Sequence, residues 1–307
     1  MPIERWQITS RQEWLERRKK NINASEIGAL FGCSPYLTRF ALYADKAGLA
    51  DADSPDTEVL RRGRILEPAI AAAVQEQRPD WKIQKSEDYI WSPASAIGCT
   101  PDFIVHCPRR GTGVLQGKTA AKPIFDEDWQ DGPPQWIVLQ TLQEMMLSEV
   151  QWGAIAVLVT GTWSIDCQIW EFERHAEAEA RIVVGARKFW QDVAAGRKPT
   201  ADYGRDDGVL KLMFPRDNGE TVDLSKDNRM PELLERFEAL SEIKRDTEQE
   251  LGAVKAEIGE KLGEAACARL PGWQVTNKLQ HRKETVQKAS SFRVLRVKRL
   301  AEEKAAA

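Results

Sequence analysis

Two neighbouring segments of the sequence carry polar residues whose spacing could build a metal-dependent hydrolytic site. Residues 99–105 and 113–119 each have the pattern of a β-strand, and the Pro/Arg/Gly turn between them predicts a hairpin. Side chains two apart on a strand share a face, so Gln116 and Lys118 point the same way, and Asp102 on the partner strand can join them. A buried carboxylate, a second oxygen ligand and a lysine around one point would hold Mg²⁺ and orient a water against a phosphodiester.

Oxygen donors elsewhere in the chain could complete this site. Phosphodiester hydrolysis at neutral pH needs a metal-activated hydroxide and positive charge on the phosphorane oxygens, which two Mg²⁺ ions ~4 Å apart supply. Mg²⁺ prefers carboxylate and carbonyl oxygens to thiols. The candidate ligands are Asp102, Glu67, Gln116 through its side-chain carbonyl and Gly117 through its main-chain oxygen.

Lys118 and Gln140 complete the predicted catalytic set. Lys118 would hold or deprotonate the attacking water, and Gln140, on a following helix, could donate to the water or to a phosphate. Taken singly, these residues also suit a turn, a solvated surface or the edge of a core. Their joint order along the chain, a helix acid, a strand acid, a Gln-x-Lys strand and a Gln helix, is much rarer by chance.

Gln116 stands where a carboxylate would be the ordinary choice. A neutral amide offers one carbonyl oxygen and no charge, so the metal affinity at that corner should be reduced and the other acids must compensate. Three explanations are compatible with the sequence: a tolerated natural variant, a deliberately inactivated variant that traps substrate, or a protein that binds its substrate without cutting it.

The elements that must position these residues follow from capping and periodicity. Residues 9–20 predict a helix with Thr9 or Ser10 as N-cap and Glu13 at capping-box spacing, and Ser25 is predicted to cap a short helix that stops at Gly32. The other predicted elements are a helix over 34–48, a helix over 56–77 that carries Glu67, extended chain over 81–107, a helix after Pro133-Pro134 that carries Gln140, strands at 152–159 and 163–172, and a helix over 175–195.

The length and composition predict one catalytic domain with a smaller appendage. The chain has 307 residues and a formal net charge of −3, so a surface for nucleic acid must be local. Two basic stretches qualify, residues 17–20 and the tail from Lys278 to Arg299, although such runs are more often a solvated face. We expect an intracellular, soluble protein, because the sequence shows neither a secretory signal nor an apolar run of bilayer length.

The five cysteines are odd in number and lack C-x-x-C spacing. This argues against a disulfide framework, a zinc site or an iron–sulfur cluster, and predicts reduced, mostly buried thiols. Composition also predicts the domain boundaries. We expect a nuclease domain over residues 1–200, a Gly-, Pro-, Asp- and Asn-rich linker or long loop over 201–230, and an appendage over 231–307 made of an amphipathic helix or helical hairpin and a terminal β-hairpin at 273–299.

With these motifs in view, the chain resembles the YqaJ-type and lambda-type viral exonucleases of the PD-(D/E)XK nuclease superfamily. The resemblance runs from Trp14 to about Val159, and the tail also looks like the YqaJ-type subgroup. The most specific matches are residues 14–26, 61–67, 98–102, 115–118 and 140–143. The resemblance implies an α/β fold, with a central mixed sheet flanked by helices. It also implies that the matched acids bind Mg²⁺, for which Mn²⁺ can substitute, and that Arg18 and Ser25 grip the 5′ phosphate.

The resemblance further implies an activity and partners. The expected function is 5′-to-3′ degradation of double-stranded DNA ends, which leaves 3′ single strands for phage-type recombination. The expected partners are DNA ends, a single-strand annealing protein and further copies of the chain in a ring, for example a trimer, and the expected location is the cytoplasm of a bacterial host. The rival hypotheses are a non-catalytic protein that binds DNA ends or assembles complexes on the same scaffold, and a restriction-type endonuclease.

Overall fold

The computed structural model describes residues 2–50, 57–282, 289 and 292–297, and its chain divides into two compact units, Met1–Phe214 and Pro215–Ala307. The helices are α1 (Arg11–Lys19), α2 (Ile27–Leu30), α3 (Arg39–Lys46), α4 (Glu58–Gln77), α5 (Lys122–Asp128), α6 (Gln135–Ser148), α7 (Ala176–Ala194), α8 (Asp207–Met213) and α9 (Met230–Leu262). The strands are β1 (Glu4–Gln7), β2 (Ile22–Asn23), β3 (Lys82–Lys85), β4 (Asp88–Ser92), β5 (Ile97–Cys99), β6 (Phe103–Cys107), β7 (Gly111–Ala121), β8 (Trp152–Thr160), β9 (Ile165–Glu173), β10 (Cys267–Leu270) and β11 (Trp273–Thr276).

A five-stranded mixed sheet forms the centre of the first unit. Its order is β3-β6-β7-β8-β9, and every neighbouring pair is antiparallel except β7 and β8, which run parallel. Parallel neighbours require a crossover connection, and the chain supplies it with α5 and α6. A smaller sheet has the order β1-β4-β5-β2. The predicted mixed sheet flanked by helices is therefore present, and the predicted β6–β7 hairpin is confirmed.

Strand β8 lies between two apolar layers, because successive side chains point to opposite faces. Ala154, Ala156 and Leu158 pack with Ile70 and Val74 of α4 on one face. The intervening residues Ile155, Val157 and Val159 pack on the other face, in a cluster that includes Ile137 of α6 and Trp129 after α5. The same alternation on β7 turns Leu115 and Gly117 toward α4, and Gln116 and Lys118 toward α6.

Helix starts follow the capping rules, with one correction. Ser10 caps α1 by accepting a hydrogen bond from the Glu13 N–H, as predicted. The predicted N-cap at Ser25 is wrong, because a 3₁₀ turn, Ala24–Glu26, begins before that residue and Asn23 is its N-cap. Ser25 lies inside the turn, and its hydroxyl instead accepts a hydrogen bond from Arg18.

The segment after residue 200 contains structure that composition did not predict. Arg205, Asp206 and α8 belong to the first compact unit, which continues to Phe214. Asp206 accepts a hydrogen bond from the hydroxyl of Thr38, the N-cap of α3, and its other carboxylate oxygen accepts from the Asp202 N–H. Arg205 donates to the Ser34 carbonyl. These polar contacts tie 202–206 to the start of α3 in a segment with few apolar residues.

The second unit contains one long helix and a short hairpin. The predicted helical segment is the single helix α9, none of whose side chains is buried. The predicted hairpin at 273–299 begins too far along the sequence. In the structure β11 pairs with the preceding strand, β10, through a turn at Pro271 and Gly272. Gly272 has φ +79°, which suits the third position of a tight turn. The described residues beyond 276 form no strand, and the basic residues Lys283, Lys288, Lys298 and Arg299 lie outside the described ranges.

All five cysteines are free thiols, and Cys99, Cys107 and Cys167 are buried, as predicted. Across the described ranges, no helix combines the length and the apolar character needed to cross a bilayer.

Candidate active site

Asp102 and Gln116 meet at the start of the β6–β7 hairpin. Phe103 of β6 pairs with Leu115 of β7, so the register places the preceding residue, Asp102, beside Gln116. The Asp102 Oδ2 atom accepts a hydrogen bond from the Gly117 N–H at 2.9 Å and a second, short one from the Gln116 side-chain amide. The predicted juxtaposition of Asp102 with the Gln-x-Lys strand is therefore present in the structure.

A chain of side-chain amides continues from Asp102 to helix α6. Gln140 Nε2 donates to Oε1 of Gln116 at 2.7 Å and to Oε1 of Glu144 at 3.0 Å. Lys118 Nζ in turn donates to Oε1 of Gln140 at 3.0 Å. One hydrogen-bond network therefore joins residues from three segments that are distant in sequence, and we call these five side chains, Asp102, Gln116, Lys118, Gln140 and Glu144, the amide network.

Burial shifts the pKa of the ionisable groups in the amide network. Burial raises the pKa of Asp102 to about 6, although Lys118 and the Gly117 N–H partly offset the shift. Burial raises the pKa of Glu144 to about 8, and the nearby Asp102 carboxylate adds to the increase. Burial lowers the pKa of Lys118 below its usual value, against the effect of the two carboxylates. Such opposed shifts in one cluster are typical of sites that move protons.

Glu67 approaches the same region from helix α4. The carboxylate of Glu67 pairs with Lys85 of β3 at 2.7 Å and lies close enough to Asp102 to raise that residue's pKa. One turn further along α4, the side chain of Ile70 packs on Gly117, where a Cβ atom would lie only 3.1 Å from Ile70 Cδ1. Because any larger residue at 117 would crowd Ile70, this glycine allows α4 to lie closely against β7.

The oxygen atoms of the site suit a hard cation such as Mg²⁺, but they come from carboxylates, a side-chain amide and the main chain together, not from acidic residues alone. Among the residues that the structure describes, no three His, Cys, Asp or Glu side chains form a metal-binding group by themselves. Gln116 turns its amide nitrogen toward Asp102 and offers its carbonyl to Gln140. In this orientation the Gln116 amide group donates a hydrogen bond to the Asp102 carboxylate. A cation could take the place of that amide group beside the carboxylate.

Arg18 and Ser25, predicted from the resemblance as a 5′-phosphate pair, are adjacent in the structure. Arg18 Nη2 lies 3.2 Å from Ser25 Oγ and 3.4 Å from Oε1 of Glu26. The guanidinium stacks on Trp14, 4.6 Å from the ring centroid, and the Trp14 indole donates to Thr100 next to the end of β5. The contacts of Trp14 therefore link Arg18 to the segment that leads into Asp102.

Glu26 and Lys46 are charged residues of this second cluster that sequence reasoning did not single out. The buried side chain of Lys46 lies 2.9 Å from Glu26. Burial would raise the pKa of Glu26, but the charges of Lys46 and Arg18 outweigh it and hold the pKa below its usual value. Glu26 is thus ionised at neutral pH and orients both cations. The spacing of Glu26 from Asn23, three residues, was the available signal, since it forms a capping box.

Helix α6 carries further buried polar residues beside Gln140. Gln143, part of the motif at 140–143, donates to the main-chain carbonyls of Ile22 and Gly98 and so ties α6 to the β2–β5 pair. Glu144, not Gln143, enters the amide network, and the sequence reasoning missed it. Its position four residues after Gln140, on the same helical face, was the signal that could have found it.

Comparisons with known proteins agree with this fold. Along 314 aligned residues, the chain is 24% identical to the uncharacterized protein YqaJ of Bacillus subtilis (strain 168), with 94% of each chain covered. Among solved structures, an alkaline exonuclease (LHK-Exo) from Laribacter hongkongensis superposes with a TM-score of 0.50 at 17% identity, over 65% of this chain and 98% of that one. That likeness confirms the predicted fold, a mixed sheet flanked by helices.

The family model of the YqaJ-like viral recombinase domain matches residues 13–151. This range begins just before Trp14 and ends after α6, so it contains Arg18, Ser25 and the whole amide network. Over residues 13–151, this chain is therefore similar to the YqaJ-like viral recombinase domains.

Proposed function

We propose that this protein is a Mg²⁺-dependent exonuclease that degrades double-stranded DNA from its ends in the 5′-to-3′ direction and leaves 3′ single strands for phage-type recombination. Its similarity to the YqaJ-like viral recombinase domains and the exonuclease title of the structurally similar protein support this proposal. The observation that carries it is the amide network, which links the Asp102 carboxylate and the Lys118 ammonium through Gln116 and Gln140.

The metal would be held by Asp102 and Glu67, with oxygen atoms from Gln116 and Gly117 as further candidates. A bound Mg²⁺ would activate a water and neutralise charge on the scissile phosphate. The protein's own contribution is to aim the donors: the Gly117 N–H orients Asp102, and Lys85 holds Glu67 at the same edge of the sheet. Gln116 would weaken the site relative to a carboxylate, and a reduced Mg²⁺ affinity is part of this proposal.

Lys118 would hold the attacking water and accept or donate its proton. Burial lowers the pKa of Lys118, so its neutral form is more accessible than that of an exposed lysine. Gln140 fixes the direction of the ammonium by accepting its hydrogen bond, and the Trp136 ring centroid lies 5.3 Å from Nζ. Gln140 would act as a positioning residue for Lys118, because its own amide nitrogen already donates to Gln116 and Glu144.

Arg18 and Ser25 would bind the terminal 5′ phosphate. A guanidinium can bind two phosphate oxygens at once, and the serine hydroxyl adds a third contact from the 3₁₀ turn. The stacking of Arg18 on Trp14 and its ion pair with Glu26 would preorganise the guanidinium for phosphate binding. Such a pocket would make the enzyme act at phosphorylated ends and would set its polarity.

We further propose partners for this activity, namely a single-strand annealing protein and other copies of the chain in a ring around the DNA. A ring would keep the enzyme on its substrate through many cycles. The resemblance to YqaJ-type and lambda-type exonucleases supports these partners, and the second unit with α9 offers a surface for them.

Incubation of the purified protein with Mg²⁺ and three DNA substrates tests the proposal. The substrates are a linear duplex with 5′ phosphates, the same duplex with 5′ hydroxyls, and a closed circle of equal sequence. We expect release of mononucleotides from the phosphorylated duplex, slower release from the hydroxyl duplex and no action on the circle. Nicking of the circle would indicate an endonuclease instead. Retention of linear DNA without turnover would indicate a non-catalytic end-binding protein.

A further inference from the structure

Glu144 is a buried acidic residue of the amide network that none of the roles above uses. Its side chain is 1% exposed. One carboxylate oxygen, Oε1, accepts the 3.0 Å hydrogen bond from Gln140. The other, Oε2, is fully buried and has no hydrogen-bond partner within the described part of the chain. A buried polar atom of this kind requires a partner such as a water or an ion.

The neighbouring amides cannot satisfy this oxygen, because their groups are already engaged. The Gln140 amide nitrogen donates to both Gln116 and Glu144, and its carbonyl accepts from Lys118. The Gln116 amide nitrogen donates to Asp102 and to the Gly117 carbonyl. The Oε2 atom of Glu144 is therefore available to a group that enters from outside the network.

The side chains of Gln116 and Glu144 both contact the same atom of Gln140. The Oε1 atoms of both side chains contact a single nitrogen, Nε2 of Gln140, at 2.7 and 3.0 Å. An acid at position 116 of the strand would therefore bring its charge to the region where Glu144 already brings one from the helix. Two carboxylates there, together with Asp102, would repel one another strongly in a buried setting. The chain instead has a neutral residue on the strand and the acid on the helix.

We propose that Glu144 supplies the metal-binding carboxylate that Gln116 cannot, and that it binds the divalent cation together with Asp102. This inference rests on the proposed function, since it assigns a further ligand to the same site. It requires the cation to replace the Gln116 amide as the partner of the Asp102 carboxylate. Glu144 would then be the third acid of the site, contributed by α6 instead of β7.

Metal binding in the absence of DNA tests this inference without a nuclease assay. Mn²⁺ and Mg²⁺ are titrated by isothermal calorimetry into wild-type protein and into the Glu144→Gln, Asp102→Asn and Glu179→Gln variants. Glu179 is a matched control, because it is also a buried glutamate, but both of its oxygens are bound by Arg174. Loss of an outer-shell partner costs about 10- to 100-fold in metal affinity, so loss of a ligand should cost at least about tenfold.

We expect Glu144→Gln and Asp102→Asn to lose at least about tenfold in affinity, and Glu179→Gln to match the wild type. Wild-type affinity in Glu144→Gln, with loss in Asp102→Asn, would overturn the inference and leave the proposed function standing. If the wild type binds no divalent cation, the proposed function fails as well. Circular dichroism and a melting curve in EDTA show whether each variant is folded, so that a folding defect is not mistaken for the loss of a ligand.

The double variant Gln116→Glu/Glu144→Gln tests whether the two positions serve one cation. It moves the charge from the helix back to the strand and keeps the number of acids constant. We expect the double variant to recover most of the Mn²⁺ affinity that Glu144→Gln loses, and to regain the upward shift of Tm on addition of Mn²⁺. An affinity no better than that of Glu144→Gln alone would overturn the claim that position 144 substitutes for position 116.

Discussion

Lys118 donates a 3.0 Å hydrogen bond to the side-chain carbonyl of Gln140, although the two residues belong to a strand and to a helix that follows it after α5. The same glutamine binds Gln116 and Glu144 through its amide nitrogen. Gln140 therefore fixes the direction of the lysine and of its neighbours at once. This geometry explains why a glutamine, which both donates and accepts, occupies the centre of the network.

Lys118→Ala should nearly abolish DNA hydrolysis while leaving the fold intact. General acid–base groups contribute roughly 10²–10⁴-fold to rates, so a loss in that range is expected in kcat at saturating Mg²⁺. Lys122→Ala is the control, because Lys122 is an exposed lysine at the start of α5 that pairs with Asp126. Rates come from mononucleotide release and folding from circular dichroism. Unimpaired turnover in Lys118→Ala would remove this residue from the mechanism.

Asp102→Ala should abolish cleavage at every Mg²⁺ concentration that the wild type uses. The wild-type rate should also fall as the pH drops below about 6, because burial raises the pKa of Asp102 to about 6 and the protonated carboxyl is a poor ligand. Metal binding lowers that pKa, so the decline should move to lower pH as Mg²⁺ increases. Rates measured between pH 5 and 9 at two Mg²⁺ concentrations check both points. A pH–rate profile that does not change with the Mg²⁺ concentration would contradict the assignment of Asp102 as a metal ligand.

Arg18→Ala should remove the preference for phosphorylated 5′ ends. A hydrogen bond to a charged group contributes about 1.5–3 kcal/mol, so the ratio of rates on 5′-phosphate and 5′-hydroxyl duplexes should fall about tenfold or more. Lys20→Ala, which removes an exposed positive charge next to the end of the same helix, should leave the ratio unchanged. The ratio is measured on one duplex with and without phosphatase treatment. Equal rates on both ends in the wild type would exclude the pocket.

The part of the site that depends on the regular alternation of side chains along a strand could be predicted from the sequence. A strand alternates its faces and a hairpin sets its register, so the meeting of Asp102 with Gln116 follows from residues 99–119 alone. The order of the motifs along the chain also placed Gln140, on a following helix, in the same predicted site as Lys118. The fold class, with its mixed sheet, followed from the resemblance, and the structure contains the parallel pair of β7 and β8 that makes the sheet mixed.

The rest depended on tertiary packing that no local pattern encodes. The sequence analysis assigned a role on α6 to Gln140 alone, whereas in the structure Glu144 also enters the amide network and Gln143 binds the β2–β5 pair. An i+3 and an i+4 neighbour differ by about 100° around the helix, and only packing against β7 chooses between them. The predicted position of the terminal hairpin was wrong for a similar reason, since the alternation of apolar and polar residues does not say which partner a strand takes.

Glu144→Gln should stabilise the metal-free protein at alkaline pH. Burial raises the pKa of Glu144 from about 4.5 in the unfolded chain to about 8 in the folded one. The folded state therefore binds more protons between these values, and stability falls as the pH rises through that window. Each pKa unit corresponds to about 1.4 kcal/mol, so the glutamine variant gains on the order of a few kcal/mol by pH 9 and little at pH 4.5.

Melting curves of both proteins in EDTA between pH 4.5 and 9 measure this difference in Tm. The gap between variant and wild type should widen steadily to about pH 8 and then remain constant. Glu179→Gln supplies the comparison, because the carboxylate that it neutralises is already paired with Arg174 and should give a loss of stability instead. Parallel curves for Glu144→Gln and wild type would mean that the buried carboxyl does not change its ionisation on folding. Excess Mg²⁺ should reduce this difference in Tm by raising the Tm of the wild type, since the cation stabilises the ionised form of Glu144 and the variant lacks that ligand.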